Sequence, residues 1–561
     1  MRLTAGGTRM KWIKLKTAEK SARLKCFAVL MLIIMFASGL ATTFSYGQTW
    51  DERTERVILL SNIREVLARI GREDMVISLP CGERSQRISE SVDKDHGMAA
   101  YYGFFPIYAT MKSQTYELLY SWHIYTFCVF FLGVISVLLI LKELFGKPLI
   151  WFGGTLSYFL TPRFFAESHY NNLDLTFVTF ILLTFLFFIR SARKPTWKYL
   201  IPYALLSGFL MNCRIPGIAI WFFFSFFLLL FQVIRKRPAA AYRKIIISCF
   251  LSFLAYYILT PASWDHPIEF LQFCLDNATH YTGWDKWIPY NGNMIQPAVN
   301  GLPYSYLPKW ILMTTPEYIL ILFACSCFAY GIHMFRKIKQ LYREQKSLFI
   351  FSDKDYFTGI LLLLFWLPFV YLVIKSPSLV LYNGWRHCYF LYAPITLVFL
   401  YALDMDAAPK IRKPYRIRKV SLSCILVFGL VLNTVDLIHF HPYEYVYFNR
   451  TTRSRVDVRG FEGDYWNVSV IGTLHHFVEE FYRGETLKVA LMSDAVWGQT
   501  PSMLSNEKLQ IVAESEADYY LINTSALPVE DRFLANEFEL VYGTEIDGYL
   551  ISGIYVLPAN E

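Results

Sequence analysis

The chain has 561 residues, of which 55% are hydrophobic, 18% aromatic and only 18% charged, with a formal net charge of +9. Soluble proteins are nearer about a quarter charged, so a string of soluble domains is excluded. The positive balance does not point to nucleic acid, because the basic residues sit at the ends of apolar runs, the pattern of membrane topology.

The N-terminus opens with a basic stretch (Lys11, Lys14, Lys16, Lys20, Arg23, Lys25) before the apolar run Cys26 to Thr43. That run is long for a signal peptide and suits a retained first span, leaving 1–25 as a cytoplasmic basic tail. Eleven spans can be drawn, at 26–45, 121–141, 149–161, 174–190, 199–213, 217–234, 245–260, 315–334, 356–374, 388–404 and 420–438. The third and fifth are short. The expected fold class is an all-α polytopic membrane protein of about 11 transmembrane helices.

Charge orients it. With the N-terminus in the cytoplasm, the inside loops carry Lys142/Lys147, Arg190/Arg193/Lys194/Lys198, Arg235/Lys236/Arg237/Arg243/Lys244, Arg336/Lys337/Lys339/Arg343/Lys346 and Lys410/Arg412/Lys413/Arg416/Arg418/Lys419. The short outside loops keep only Arg163, Arg214, and Lys375 with Arg386. The expected location is the plasma (inner) membrane, multi-pass, with the C-terminus extracytoplasmic. Three large pieces then lie outside: 46–120 and 261–314 within the membrane domain 26–438, and the C-terminal domain 439–561. The last alternates β-like runs (Lys488–Met492, Asp518–Ile522, Tyr549–Val556) with polar turns, which predicts a small α/β domain. Ten cysteines are scattered without a CxxC pair or metal spacing. Cys81 and Cys274 would both lie outside, and their pairing is open. No motif implies a cofactor or a metal ligand, and a divalent cation stays open.

Several outside segments carry chemistry. Trp50-Asp51-Glu52 follows the first span, and paired carboxylates at a membrane edge are costly unless wet or paired. The next residues place Leu59, Leu60, Ile63, Val66, Leu67 and Ile70 on one helical face, with Arg64 and Arg69 off it, which predicts an interfacial helix lying on the bilayer. Residues 162–174 form a short loop crowded with Glu167, His169, Asn171, Asn172 and Asp174. Asp174 opens a helix and would serve as its cap, but a cap needs one such residue, not five. Arg214 lies between two apolar helices, either snorkelling to headgroups or clamping a phosphate. In 261–314, Ile268, Leu271, Leu275 and Ala278 form an apolar helix face, followed by a run dense in Trp, Tyr, Pro, Gly and Asn that includes Trp284 and Tyr304. Such a run is an aromatic belt or a cover that stacks rings on sugars. Tyr382-Asn383-Gly384-Trp385-Arg386-His387 adds a cation and an imidazole, open between a structural and a ligand role. The segment from His441 to Asn449, with Phe461 to Trp466, reads as aromatic and interface-hugging, not catalytic.

Together these pieces resemble type C glycosyltransferases, in particular family 39, which holds the protein O-mannosyltransferases and the bacterial aminoarabinose transferases of lipid A. The resemblance rests on Asp51-Glu52 after the first span, the acidic loop ending at Asp174, the outside C-terminal domain, and the stretches PRFFAESHYNNLD, LPYSYLPKWILMTTP, YNGWRH, HPYEYVYFN and FEGDYW. It covers about 26–470 and looks like a bacterial branch. It implies a type C glycosyltransferase fold, a polyprenyl-phosphate sugar donor, and an exported glycan, lipid or protein acceptor at the outer face. It also implies Asp51 as general base, Asp174 as a second acid and Glu52 as an orienting group. The substrate-binding candidates are Arg163, Glu167, His169, Asn172, Arg214, Trp284, Tyr304, Arg386 and His387. The family's Lys-Pro motif in the first loop has no counterpart around Tyr101–Tyr108, and Arg214 or Arg386 are the substitutes. Rival readings are a lipid-linked glycan flippase, a polymerase or ligase using a diphosphate donor, and a scaffold. Flippases usually show internal repeats and ionisable residues at mid-membrane; this chain has neither.

Overall fold

The computed structural model describes residues 5–79, 85–279, 285–344, 351–405, 412–492, 498–523 and 538–557. Among them, nine helices are long and apolar enough to cross a membrane: Ser21–Ser45, Tyr116–Leu144, Asp174–Arg193, Pro216–Ile234, Ala239–Leu259, Glu317–Arg343, Asp353–Ser378, Arg386–Asp404 and Arg416–Phe440. The chain is a multi-pass helical membrane protein. The two shortest expected spans are helices as well, Pro148–Phe159 and Trp197–Cys213, but at 12 and 17 residues they fall short of the roughly 20 that a span needs. The first continues, after a break, into Pro162–Glu167. The second packs closely on Ala239–Leu259: a Cβ on Gly208 would sit 2.6 Å from the Ala255 Cβ, so a small residue is what lets the two helices approach.

Span Arg386–Asp404 is not one helix. It starts as a 3₁₀ turn, Arg386–Leu391, and continues as Tyr392–Val398 and Tyr401–Asp404, almost wholly enclosed by the other helices. At one end of the bundle the basic clusters meet acids. Arg190 Nε lies 2.7 Å and Arg193 Nη1 2.9 Å from the Glu143 carboxylate, and Arg235 Nη2 lies 2.7 Å from Asp353.

The long segments gather at the opposite end. Helix Trp50–Ala68 starts on a capping box, in which the Thr49 N–H donates to Glu52 Oε2 at 2.7 Å and the Thr49 hydroxyl at 3.1 Å. This helix corrects the sequence reading. Ile58, Leu59, Leu60 and Ile63 pack against Met98, Tyr101, Phe104 and Trp122, so the first half of the apolar face is buried in protein rather than in lipid, while Ile70 at its end stays exposed. Segment 85–120 supplies that cover, which periodicity alone does not reveal. Helix Pro267–Thr279 has the interfacial character instead. Ile268, Leu271 and Leu275 are exposed, while Phe270 and Cys274 face inward. Cys81 lies outside the described residues, and Cys274 is a free, buried thiol.

The C-terminal segment carries a five-stranded mixed sheet in the order Leu509–Ile511, Leu487–Leu491, Tyr519–Asn523, Tyr549–Val556, Glu539–Ile546. Helix Ser469–Phe481 lays Val470, Leu474 and Phe477 on Val489, Leu521 and Ile554. Three strands fall on the runs read from sequence. Glu539–Ile546 does not announce itself, because it is a half-buried edge strand with two register shifts. The sheet region is tied to the bundle end at Gln499, whose Nε2 donates to Gln48 O at 2.9 Å, two residues before the helix that carries Asp51.

Candidate active site

The acidic pair after the first span divides. Glu52 turns inward, wholly buried, where it completes the capping box and meets His123 Nε2 at 2.9 Å. Asp51, in the same first turn, stays one-third exposed, and its Oδ2 accepts from Arg386 Nη1 at 2.7 Å. Arg386 is buried; its guanidinium lies over the Trp466 ring at 4.5 Å and near Tyr382 at 5.6 Å. Its Nε–H has no partner among the described residues. A guanidinium with one arm on a carboxylate and another donor unspent is equipped to take a second anion.

A second pair stands beside the first. Asp174 is at the first position of its helix but does not cap it. Its N–H is taken by Asn171 Oδ1 at 2.8 Å, which frees the Asp174 carboxylate to accept from Arg214 Nη2 at 2.6 Å. Asp174 is buried and Arg214 about a quarter exposed. The two pairs sense each other, with the Asp174 charge acting on Arg386 and the Arg386 charge on Arg214. Two cations and two carboxylates thus lie near one another at the loop-rich end. Asn172 is buried nearby, its Nδ2 3.8 Å from Met98 Sδ, and His387 stands beside Arg386 with its ring edge-on to Tyr382 at 4.8 Å.

The other expected contacts take different places. Arg163 is fully buried, donating to Tyr447 O at 2.9 Å and to the Tyr465 hydroxyl at 3.2 Å between the rings of Trp310 and Phe448. Glu167 accepts from Tyr389 at 2.7 Å, Tyr465 at 3.1 Å and Asn171 at 2.6 Å, and burial raises its pKa. It braces the Asn171 that caps the Asp174 helix. His169 bonds Gly39 O through Nε2 at 2.9 Å and stacks on Phe127; burial lowers its pKa to about 4, so it is neutral. These three knit the loop to the bundle. Crowding in sequence is therefore partly a packing signal: a polar loop buried under aromatic segments must satisfy itself internally. Tyr304 is 62% exposed, and Trp284 lies outside the described residues.

The structure adds Glu55, one helical turn beyond Asp51. It is buried, with Oε2 unpartnered among the described residues and Oε1 3.8 Å from His96 Nδ1. Burial, and then the charge of Asp51, push its carboxyl up to about 8. Its i+4 spacing from Asp51 is visible in the sequence, but only the cover by 85–120 makes it a buried acid. Among the described residues no group of three or more His, Cys, Asp or Glu is placed to hold a metal ion.

No protein-family model matches the chain, and no curated protein does. Among solved structures, it is similar to ArnT from Cupriavidus metallidurans, in the apo state (TM-score 0.45) and bound to undecaprenyl phosphate (TM-score 0.43). Each is 11% identical, and each match covers 94% of this chain and 98% of the other.

Proposed function

We propose that the protein is an integral membrane glycosyltransferase that moves a sugar from a polyprenyl-phosphate donor to an acceptor hydroxyl. The reading places the loop-rich end on the extracytoplasmic face, because the basic clusters crowd the other end. The observation that carries it is the Asp51–Arg386 pair, a part-open carboxylate 2.7 Å from a buried guanidinium whose Nε–H has no partner among the described residues.

The chemistry needs both halves. The acceptor oxygen attacks the anomeric carbon and gives its proton to Asp51, the general base, a role worth about two to four orders of magnitude. The bond from that carbon to the phosphate oxygen breaks, and its electron pair leaves with the lipid phosphate. Arg386, and Arg214 near it, meet the growing charge, a contribution of about 3 kcal/mol for one well-placed donor. Asp174 holds Arg214 in place. Before the donor binds, Asp51 and Arg386 neutralise each other; the phosphate draws the guanidinium away and frees the base. One displacement with one base gives inversion: Asp51 takes the proton, and Asp174 is engaged with Arg214 rather than serving as a nucleophile. The acceptor is an exported glycan, lipid or protein.

The test is mass spectrometry of lipid-linked sugars in cells lacking the protein. A polyprenyl monophosphate sugar should accumulate. A diphosphate-linked glycan accumulating in its place would favour a polymerase or ligase.

A further inference from the structure

Glu462 comes from the segment Phe461 to Trp466, which by sequence is an aromatic packing stretch. It is buried. Its carboxylate accepts the backbone N–H groups of Asn383 and of Gly384, the latter at 2.8 Å, and the Tyr306 hydroxyl at 3.2 Å. The same hydroxyl lies 2.9 Å from Gly384 O. Asn383 and Gly384 have φ of 58° and 67°. Two successive left-handed residues present their N–H groups to one side, a concavity that takes an anion. Here the anion is a side chain of the protein.

This turn ends two residues before Arg386. Trp385, between them, is fixed by its Nε1–H on Thr314 Oγ1 at 2.9 Å. Trp466, four residues beyond Glu462, lies under the Arg386 guanidinium. One short segment thus holds both the backbone that leads into Arg386 and the face of its charged group.

The geometry points to Glu462 as a positioning residue that fixes the Asn383–Gly384 turn so that Arg386 is aimed at the lipid phosphate. This rests on the lipid-phosphate reading above. Two N–H groups need two acceptor oxygens, which an ionised carboxylate supplies. A glutamine supplies one and turns an amide N–H₂ on the other N–H. Burial pushes the Glu462 carboxyl up to about 7, against the N–H groups of Gly384 and Asn383, the Tyr306 hydroxyl and the Arg386 charge, all of which favour ionisation. The clamp is therefore complete above neutrality and loosens as pH falls through it.

The experiment uses the full-length protein in detergent at pH 8 with undecaprenyl phosphate as the probe, its affinity read from ligand-dependent thermal shifts. Glu462→Gln should weaken binding about ten-fold, the cost of one charged hydrogen bond lost and one donor opposed. Arg386→Ala should weaken it as well, and the double variant should bind no more weakly than Arg386→Ala alone, since both act through one group. If Glu462→Gln does not fold, Tyr306→Phe removes a single donor and should weaken binding about two- to three-fold. Wild-type affinity in the Glu462→Gln or Tyr306→Phe variant, with Arg386→Ala impaired, overturns the positioning role and leaves the lipid-phosphate reading standing. Losses that add in the double variant overturn it too, because a merely structural defect is independent of Arg386. Failure of the wild type to bind the probe removes the lipid-phosphate reading and the positioning role with it.

Discussion

The Arg386 guanidinium lies 2.7 Å from the Asp51 carboxylate, although 335 positions separate the two residues. Asp51 is placed by a capping box after the first span, and Arg386 by a turn at the head of a broken span. Each side chain satisfies the other, and neither is satisfied in a way that a substrate cannot replace: Asp51 is partly open, and the Arg386 Nε–H has no partner among the described residues.

Replacing Asp51 by Asn separates base from clamp. Transfer should fall by about two to four orders of magnitude. Binding of undecaprenyl phosphate should be retained or tightened, because a carboxylate that competes for Arg386 is gone. Transfer is followed by mass spectrometry of the product and binding by thermal shift; unchanged turnover would remove Asp51 as the base.

The Asp174–Arg214 pair makes a two-part prediction. Arg214→Ala strands a buried carboxylate and should destabilise the protein, by up to about 3 kcal/mol. Adding Asp174→Asn should restore much of that stability without restoring transfer. Thermal unfolding and turnover of the single and double variants decide it. Near-wild-type transfer by Asp174→Ala would reduce Asp174 to a helix-terminal residue.

His169 should behave as a packing residue. His169→Ala removes the bond to Gly39 and the stack on Phe127, so the melting temperature should drop while affinity for undecaprenyl phosphate in the folded fraction stays within about two-fold, as for other residues distant from a ligand. A selective loss of affinity would return it to the site.

How much of this was legible follows from where each signal resides. Span positions are set by runs of apolar residues, and nine of the eleven expected runs appear as full-length candidate spans. Asp51, Asp174, Arg214 and Arg386 stand out because a charge beside an apolar run is costly, so each is conspicuous in one dimension. Arg163, Glu167 and His169 are conspicuous for the same reason yet are bonded within the loop and bundle, because a partner supplied by a distant segment, a carbonyl for Arg163 and His169 and tyrosine hydroxyls for Glu167, leaves no mark in sequence. Glu55 and Glu462 were missed for the converse reason. Their burial and contacts come from segments 85–120 and 382–387, far away in the chain. The face of helix Trp50–Ala68 read as lipid-facing because an apolar stripe does not say what covers it.

Glu55 makes the stability of the fold depend on pH. Its carboxyl titrates near 4.5 when exposed and is raised to about 8 in the folded protein, by burial first and by Asp51 next. Below pH 4.5 both states are protonated and the group costs nothing. As pH rises from there towards 8, only the unfolded chain releases the proton, so the folded state loses stability, and the loss levels off above about 8. Glu55→Gln removes that proton exchange. Its melting temperature relative to wild type should therefore climb between pH 5 and pH 8 and flatten beyond. A difference constant with pH would show that Glu55 is ionised in the folded protein.

The central claim, transfer from a polyprenyl monophosphate sugar, is tested most directly by mass spectrometry of lipid-linked sugars in cells lacking the protein and in the same cells supplied with wild type or Asp51→Asn. A polyprenyl monophosphate sugar should accumulate in the deleted cells, disappear with the wild type and persist with Asp51→Asn. An unchanged lipid-linked sugar pool in all three, or clearance by Asp51→Asn as complete as by the wild type, would contradict it.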